Sequence, residues 1–172
     1  MDTVREWALK LAHCAAPDEV DLAPAIARAV AAGGAQRDEL FRTSGAVQGG
    51  FGAVESLAVL PAVFRALADA APVVLAALAS GAAVLGGYAG AAKDVVDVRD
   101  ALKGRSKDDE SPGNPYLPLK KAAHTLTREM QAAGVPADQS ELITYRVLMA
   151  LCEDPEGAGQ FVGTLHGPPG AR

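Results

Sequence analysis

Residues 71–92 read Ala71-Pro-Val-Val-Leu-Ala-Ala-Leu-Ala-Ser-Gly-Ala-Ala-Val-Leu-Gly-Gly-Tyr-Ala-Gly-Ala-Ala92 and carry no charged side chain. No other stretch of the chain is as long, as apolar and as free of charge. A helix of about 20 apolar residues is long enough to cross a bilayer. The same composition suits a helix enclosed by others in a bundle. The fold therefore depends on whether this segment faces lipid or other helices.

Small residues recur along this segment at helical spacing, and Gly86 and Gly90 stand four residues apart. Small side chains on one helix face let two backbones approach closely. Larger apolar residues follow a second spacing on the same helix. We predict an interaction face formed by Leu78, Ala79, Ala82, Leu85, Gly86 and Gly90.

The composition favours helices and gives little sign of a nucleic-acid partner. Alanine supplies 36 of the 172 residues, whereas aromatic residues make up only 5%. Alanine is the best helix former, but it buries little area per residue. The net charge of -5 is small, and no basic stretch gives the electrostatic footprint of a nucleic-acid-binding protein. These features are typical of a helical protein with closely packed, alanine-rich helices.

Local signals mark the predicted helices before and within the apolar segment. Thr3 begins a capping pattern for the first helix, and Asp21 is the expected cap of the second, which Gly33 stops. A helix is predicted over about 53–70, where an interior Pro61 would cause a kink. Pro72 is expected in the first turn of a helix that could continue to about residue 103.

Residues 104–118 are polar, charged and rich in proline and glycine, which is typical of a linker. A helical hairpin is expected after it, with a turn at Gly134 and a capping pattern beginning at Asp138. Asp154-Pro155 should open a last short helix. The predicted organisation is therefore a bundle over 1–103, a linker over 104–118, a small helical unit over 119–166 and a disordered tail over 167–172.

No stretch alternates convincingly between apolar and polar residues, so strands are not expected. We predict an all-α fold: a helical bundle with a long central Ala/Gly-rich helix and a C-terminal helical hairpin.

Reactive side chains are few and show no spacing of a known site. Cys14 and Cys152 lie in predicted helices among apolar residues, which indicates buried thiols; the alternative is a disulfide or redox pair. His13, His124 and His166 are scattered over three segments, and no pair has metal-ligand spacing. We therefore predict no catalytic residues, no metal and no cofactor.

Two interpretations of the apolar segment stay open. In one, it is the central helix of a soluble bundle; in the other, residues 57–92 insert into a membrane as a hairpin. The six Val and Leu residues of 71–92 favour insertion by roughly -2 to -4 kcal/mol in total, and glycine, serine and proline offset much of that. Arg65 and Asp69 would then lie in or near the bilayer, which is costly.

The leading functional hypothesis is a non-enzymatic helical protein–protein interaction or assembly module of a bacterial system, binding a protein partner or forming a homo-oligomer. The alternative is a membrane-associated or pore-forming helical protein, and a third is an enzyme or small-ligand binder with an unrecognised site. The first residues have early acidic side chains and no apolar core of a signal peptide, so a cytoplasmic location is expected.

The small-residue stripe makes a prediction for Gly86→Leu. If Gly86 contacts another helix closely, the larger side chain must push the backbones apart, at a cost of about 1–3 kcal/mol. On an exposed face the same change would instead gain up to about 1 kcal/mol, because it removes a mid-helix glycine. We expect a lower melting temperature or a broken oligomer. A raised melting temperature with unchanged oligomeric state would contradict the close contact.

Overall fold

The computed structural model describes residues 3–38, 59–88 and 117–167, and it describes the side-chain surroundings of the second range up to residue 80. In these residues the chain forms helices and no strand, so the predicted all-α bundle is confirmed for this part of the chain. The helices are α1 (Thr3–Ala15), a 3-10 helix (Pro17–Leu22), α2 (Ala23–Ala32), α3 (Val59–Asp69), α4 (Ala71–Tyr88), α5 (Leu117–Ala132), α6 (Ala137–Glu153) and α7 (Pro155–His166). Residues 34–38 are also helical.

Helix α7 lies at the centre of the bundle, in contact with α1, α2, α3, α4 and α6. Its start follows the sequence prediction: the Asp154 side chain accepts a hydrogen bond from the Gly157 backbone N–H at 3.1 Å, and Pro155 occupies the first turn. An N-cap of this kind satisfies one of the unpaired N–H groups of the first turn. Phe161, Val162 and Leu165 are buried on α7. One side of this short helix is therefore packed into the core of the bundle.

Three aromatic rings connect the first, third and last of these α-helices. The rings of Trp7 and Phe161 stack with their centroids 6.2 Å apart, and Phe64 meets Phe161 edge-on at 6.0 Å. Both arrangements are favourable for aromatic pairs. On the outer side of the indole, the Lys10 ammonium lies 4.7 Å from the ring centroid and 2.9 Å from the Glu153 carboxylate. The cluster joins α1, α3 and α7 into one core.

Helix α3 begins on a carboxylate from a distant part of the sequence. The two oxygens of Glu19 accept hydrogen bonds from the backbone N–H groups of Val59 and Leu60, at 2.7 and 3.0 Å. Pro61 follows in the same turn, where its missing N–H has no helical partner to lose. The predicted kink at Pro61 would require helix on both sides of the proline, so it stays a prediction for the part of the chain before Val59. Residues 53–58 lie outside the described residues.

The described chain changes direction at Ala70, where the axes of α3 and the first part of α4 differ by 75°. Pro72 stands in the first turn of α4, as predicted. Before the bend, the Asp69 carboxylate is 2.6 Å from the guanidinium of Arg37 and 3.5 Å from that of Arg65. Asp69 thus pairs both with Arg65, four residues earlier on α3, and with Arg37 from the segment after α2.

Helices α5 and α6 form the predicted helical hairpin. The Val135 N–H bonds to the Met130 carbonyl at 3.0 Å and the Gly134 N–H to that of Gln131, also at 3.0 Å, which is a Schellman motif. Gly134 has φ of 95°, in the left-handed region that favours glycine. Val135 and Met130 are both buried, which supplies the apolar contact of the motif.

A polar seam fixes how the two hairpin helices meet. The Thr127 hydroxyl lies 3.0 Å from that of fully buried Thr144, and the Gln131 amide donates to buried Ser140 at 3.2 Å. Ser140 donates in turn to the Ala137 carbonyl at 2.9 Å. Because buried hydroxyls are costly without partners, these pairs oppose sliding of one helix along the other.

Two predicted caps are wrong. Asp21 lies inside the 3-10 helix, and α2 starts after Leu22 with no side-chain cap. Asp138 lies inside the first turn of α6, whose N-cap is Pro136. Near the helix N-terminus its carboxylate is still favourably placed, because it faces the positive end of the helix dipole.

The helices on both sides of the predicted linker share one hydrophobic core, in which α5 packs against α3 and α4 and α6 against α1. This arrangement favours cooperative unfolding of 3–38, 59–88 and 117–167 over a semi-independent unit at 119–166. Of the predicted linker over 104–118, residues 104–116 lie outside the described residues, whereas Leu117 and Pro118 belong to α5. Residues 168–172 of the predicted tail lie outside them as well, and the domain division stays a prediction.

Close contact between α1 and α7 makes a prediction for Gly157→Ala. A Cβ at residue 157 would lie 2.9 Å from the indole nitrogen of Trp7 and would collide with the Asp154 carboxylate. We expect a loss of about 1–3 kcal/mol in the free energy of unfolding, measured by urea denaturation.

Gly163→Ala on the same helix is the matched control, because a Cβ there meets no atom within 4 Å. We expect it to gain about 0.5–1 kcal/mol, since alanine is the better helix former. Equal effects of the two changes would contradict the close contact.

Candidate interaction face

Helix α4 divides into a buried and an exposed side. Its buried residues pack into the shared core, and Val73 and Leu75 are half-buried at the boundary. We define the outer face of α4 by its exposed residues, Pro72, Ala76, Ala79 and Ser80. The Ser80 hydroxyl bonds back to the Ala76 carbonyl at 2.8 Å. The expectation that neighbours enclose this helix on every side is therefore wrong for residues 71–80.

The structure separates two of the predicted face residues. Leu78 is only 4% exposed and belongs to the core, whereas Ala79 lies on the outer face. Ala82, Leu85 and Gly86 fall within α4, but their side-chain surroundings lie outside the described residues, and so does Gly90 altogether.

Helix geometry indicates which later positions of α4 lie on the same side as the residues described above. Residues seven apart, about two turns, occupy nearly the same side of a helix. By that rule position 86 follows Ala79, position 85 follows Leu78, and position 82 follows half-buried Leu75. Of the five predicted residues within α4, Ala79 and Gly86 therefore share one side of the helix, Leu78 and Leu85 a second, and Ala82 a third.

An open groove runs beside the outer face, between α4 and α5. It is lined by Val73, Lys120, Lys121, His124 and Thr125. Lys121 and His124 are exposed, and Arg128, one turn further along α5, is exposed as well and lies 3.0 Å from the neighbouring Glu129 carboxylate. The groove therefore has an apolar floor at Val73 and a basic side on α5.

The basic residues oppose the dipole of their own helix. Lys120 and Lys121 stand at the beginning of α5, whose first turn contains no acidic residue. A cation near a helix N-terminus is unfavourable, because the helix dipole places positive charge there. Helix stability therefore does not explain these lysines, and sequence reasoning missed them. The signal available in the sequence was the lysine pair Lys120-Lys121, which follows Pro118 and Leu119 in a chain of net negative charge.

The histidines do not converge on one site. Nδ1 of His13 lies 2.7 Å from the Leu9 carbonyl oxygen, and Nδ1 of His166 lies 2.9 Å from that of Ala68. His124 lines the groove. Within the residues that the structure describes, no three His, Cys, Asp or Glu side chains are grouped so as to hold a metal ion.

Within the described ranges, no single helix is both long and apolar enough to cross a bilayer. Val59–Asp69 and Ala71–Ser80 reach that length only together, with a bend of 75° between them.

Comparison of the chain with protein-family models, with curated proteins and with solved structures finds no match.

Both cysteines are half-buried free thiols. Burial raises the pKa of Cys14, and the Glu153 carboxylate adds to the increase. Burial alone raises the pKa of Cys152 to about 11. Because the thiolate is the nucleophile, neither site favours redox or nucleophilic chemistry at neutral pH.

These shifts make a prediction for alkylation. At pH 8 only about one Cys152 in a thousand is a thiolate, so iodoacetamide should modify it slowly in the folded protein. The rate should rise about tenfold per pH unit until the pH approaches the pKa of the thiol. Mass spectrometry of a time course measures the alkylation rate at pH 8 and its dependence on pH, with protein in urea as the control. Equal rates for folded and unfolded protein at pH 8 would contradict the prediction.

Proposed function

We propose that this chain is a non-enzymatic helical interaction module, and that its protein partner, or a second copy, contacts the outer face of α4. The observation that carries the proposal is the lack of charge on that face. An exposed helix face ordinarily carries charged and polar residues. On the outer face of α4 the residues are instead Pro72, Ala76, Ala79 and Ser80.

The other α-helices make the contrast plain. Among the described residues, each has at least one charged side chain on its exposed side: Arg5 on α1, Arg28 on α2, Arg65 on α3, Lys121 on α5, Arg146 on α6 and Glu156 on α7. The absence of charge is therefore a property of α4 and does not reflect the composition of the chain as a whole.

Small side chains on this face also suit a helical partner. Helices pack with their axes about 8–10 Å apart, and the shorter distances require small residues at the contact. Ala76 and Ala79 are three residues apart and share the exposed side of α4. A partner helix laid across them would replace water over an apolar surface without burying a charge.

Membrane insertion is the competing function, and the core argues against it. Moving α3 with α4 into lipid would separate Phe64 from Phe161 and break the contact of Asp69 with Arg37. It would also remove Glu19 from the start of α3. We therefore propose that α3 and α4 stay in the bundle and that the module acts in the bacterial cytoplasm.

Site-specific photo-cross-linking tests the proposal. A benzophenone amino acid replaces Ala79 in the full chain, expressed in its native host, and the matched control carries it at exposed Arg146 on α6. We expect a protein adduct, of a partner or of a second copy, from position 79 and none from position 146.

Ala76→Arg provides the second control. It adds a charge to the outer face, and an exposed substitution changes stability by no more than about 0.5 kcal/mol. The adduct at position 79 should then disappear while the circular dichroism spectrum is unchanged. Adducts with lipid alone, recovery of the chain in the membrane fraction, or equal adducts at both positions would contradict the proposal.

A further inference from the structure

The groove between α4 and α5 adds a chemical preference to the outer face. Val73 supplies an apolar floor next to the first turn of α4, and α5 contributes Lys121, His124 and, one turn on, Arg128. The uncharged outer face and these basic side chains therefore border one another along the α4–α5 boundary.

Two of these basic residues have no charged partner of their own. In the part of the chain that the structure describes, neither Lys121 nor His124 takes part in a salt bridge, whereas Arg128 pairs with Glu129. The single acidic residue of α5 is thus already engaged.

We propose that this groove binds an acidic, amphipathic helical segment of a protein partner. A carboxylate of that segment pairs with Lys121, and another accepts a hydrogen bond from the ring of His124. An apolar side chain of the segment covers Val73, and its backbone lies across Ala76 and Ala79. The inference rests on the proposed interaction function and names the chemistry of the partner. It follows from charge complementarity, because α5 carries two lysines and an arginine against one glutamate, although the net charge of the chain is -5.

A protein segment fits this surface better than an anionic membrane does. Helices that bind at a membrane interface bury large apolar side chains such as Trp, Phe and Leu among the acyl chains. The exposed residues of the outer face are Pro72, Ala76, Ala79 and Ser80, which have little to insert. Their small size favours close contact with another helix.

Fluorescence anisotropy with the full chain tests the inference. The probe is a labelled synthetic helical peptide of about 15 residues, with Leu and Ala on one face and Glu along its flank. The matched peptide has Gln in place of Glu. We expect the Glu peptide to bind about tenfold more tightly at low salt, and the difference to shrink as salt screens the exposed charges.

Charge-reversal variants of the protein provide a second test of the inference. Lys121→Glu with His124→Glu should weaken binding of the Glu peptide about tenfold, since two favourable pairs become repulsive. The same double variant should recover affinity for a peptide with Lys in place of Glu. Arg5→Glu, an exposed reversal on α1, is the control and should change neither affinity. Circular dichroism checks that each variant keeps its helical content.

Several outcomes would overturn the inference. One is equal binding of the Glu and Gln peptides, or no binding of either. Another is charge-dependent binding to phosphatidylserine vesicles but not to the peptide, which indicates a membrane ligand. A third is peptide binding that requires neutralisation of Asp108, Asp109 and Glu110, which indicates that the chain's own acidic run takes the groove. Cross-linking at position 79 that persists in any of these cases would leave the interaction function standing and reject only the acidic chemistry.

Discussion

The bundle depends on one aromatic contact, the placement of Phe161 between Trp7 and Phe64. Alanine dominates the sequence, and an alanine side chain removes little apolar area from water. A chain of this kind must gain much of its burial from a few large rings, each of which buries 150–250 Å² as a rule. The contact joins helices from both ends of the described chain, so the neighbouring aliphatic residues are organised around it. Gly157 is part of the same arrangement, because only a residue without Cβ lets the indole approach α7 so closely.

The sequence predicted those features that a few neighbouring residues determine. Asp154 followed by proline gave the start of α7, and Gly134 gave the turn of the hairpin, because a cap and a left-handed residue act within one turn. The sequence did not predict features that depend on a contact with a residue far away in the chain. The start of α3 depends on Glu19, which is 40 positions away, and no local pattern contains that information. The acidic residues at 21 and 138 were misassigned because such side chains are also common inside a first turn.

The candidate face illustrates the same limit. Absence of charge along 71–92 was visible in the sequence, and so was the small-residue spacing that includes Ala79 and Gly86. Periodicity alone could not decide which side of the helix faces the core, since apolar residues occur on every side of it. Tertiary contact decided it by burying Leu78 and leaving Ala79 exposed. The lysine pair of α5 was visible in the sequence, but its place beside α4 was not, because the two helices border one another only after they pack together.

The stacking of Trp7 on Phe161 also affects how the protein is made. A ribosome releases the chain from its N-terminus, so α1 emerges long before α7, whose ring must cover the indole. Until residue 161 has left the exit tunnel, α1 can bury its apolar side only against α2 and the other helices already released. Helix α7 is thus the last of the described helices to be synthesised, and the core is complete only after α7 has been translated. During that interval the indole of Trp7 lacks its stacking partner and is an apolar surface that a nascent-chain chaperone can bind.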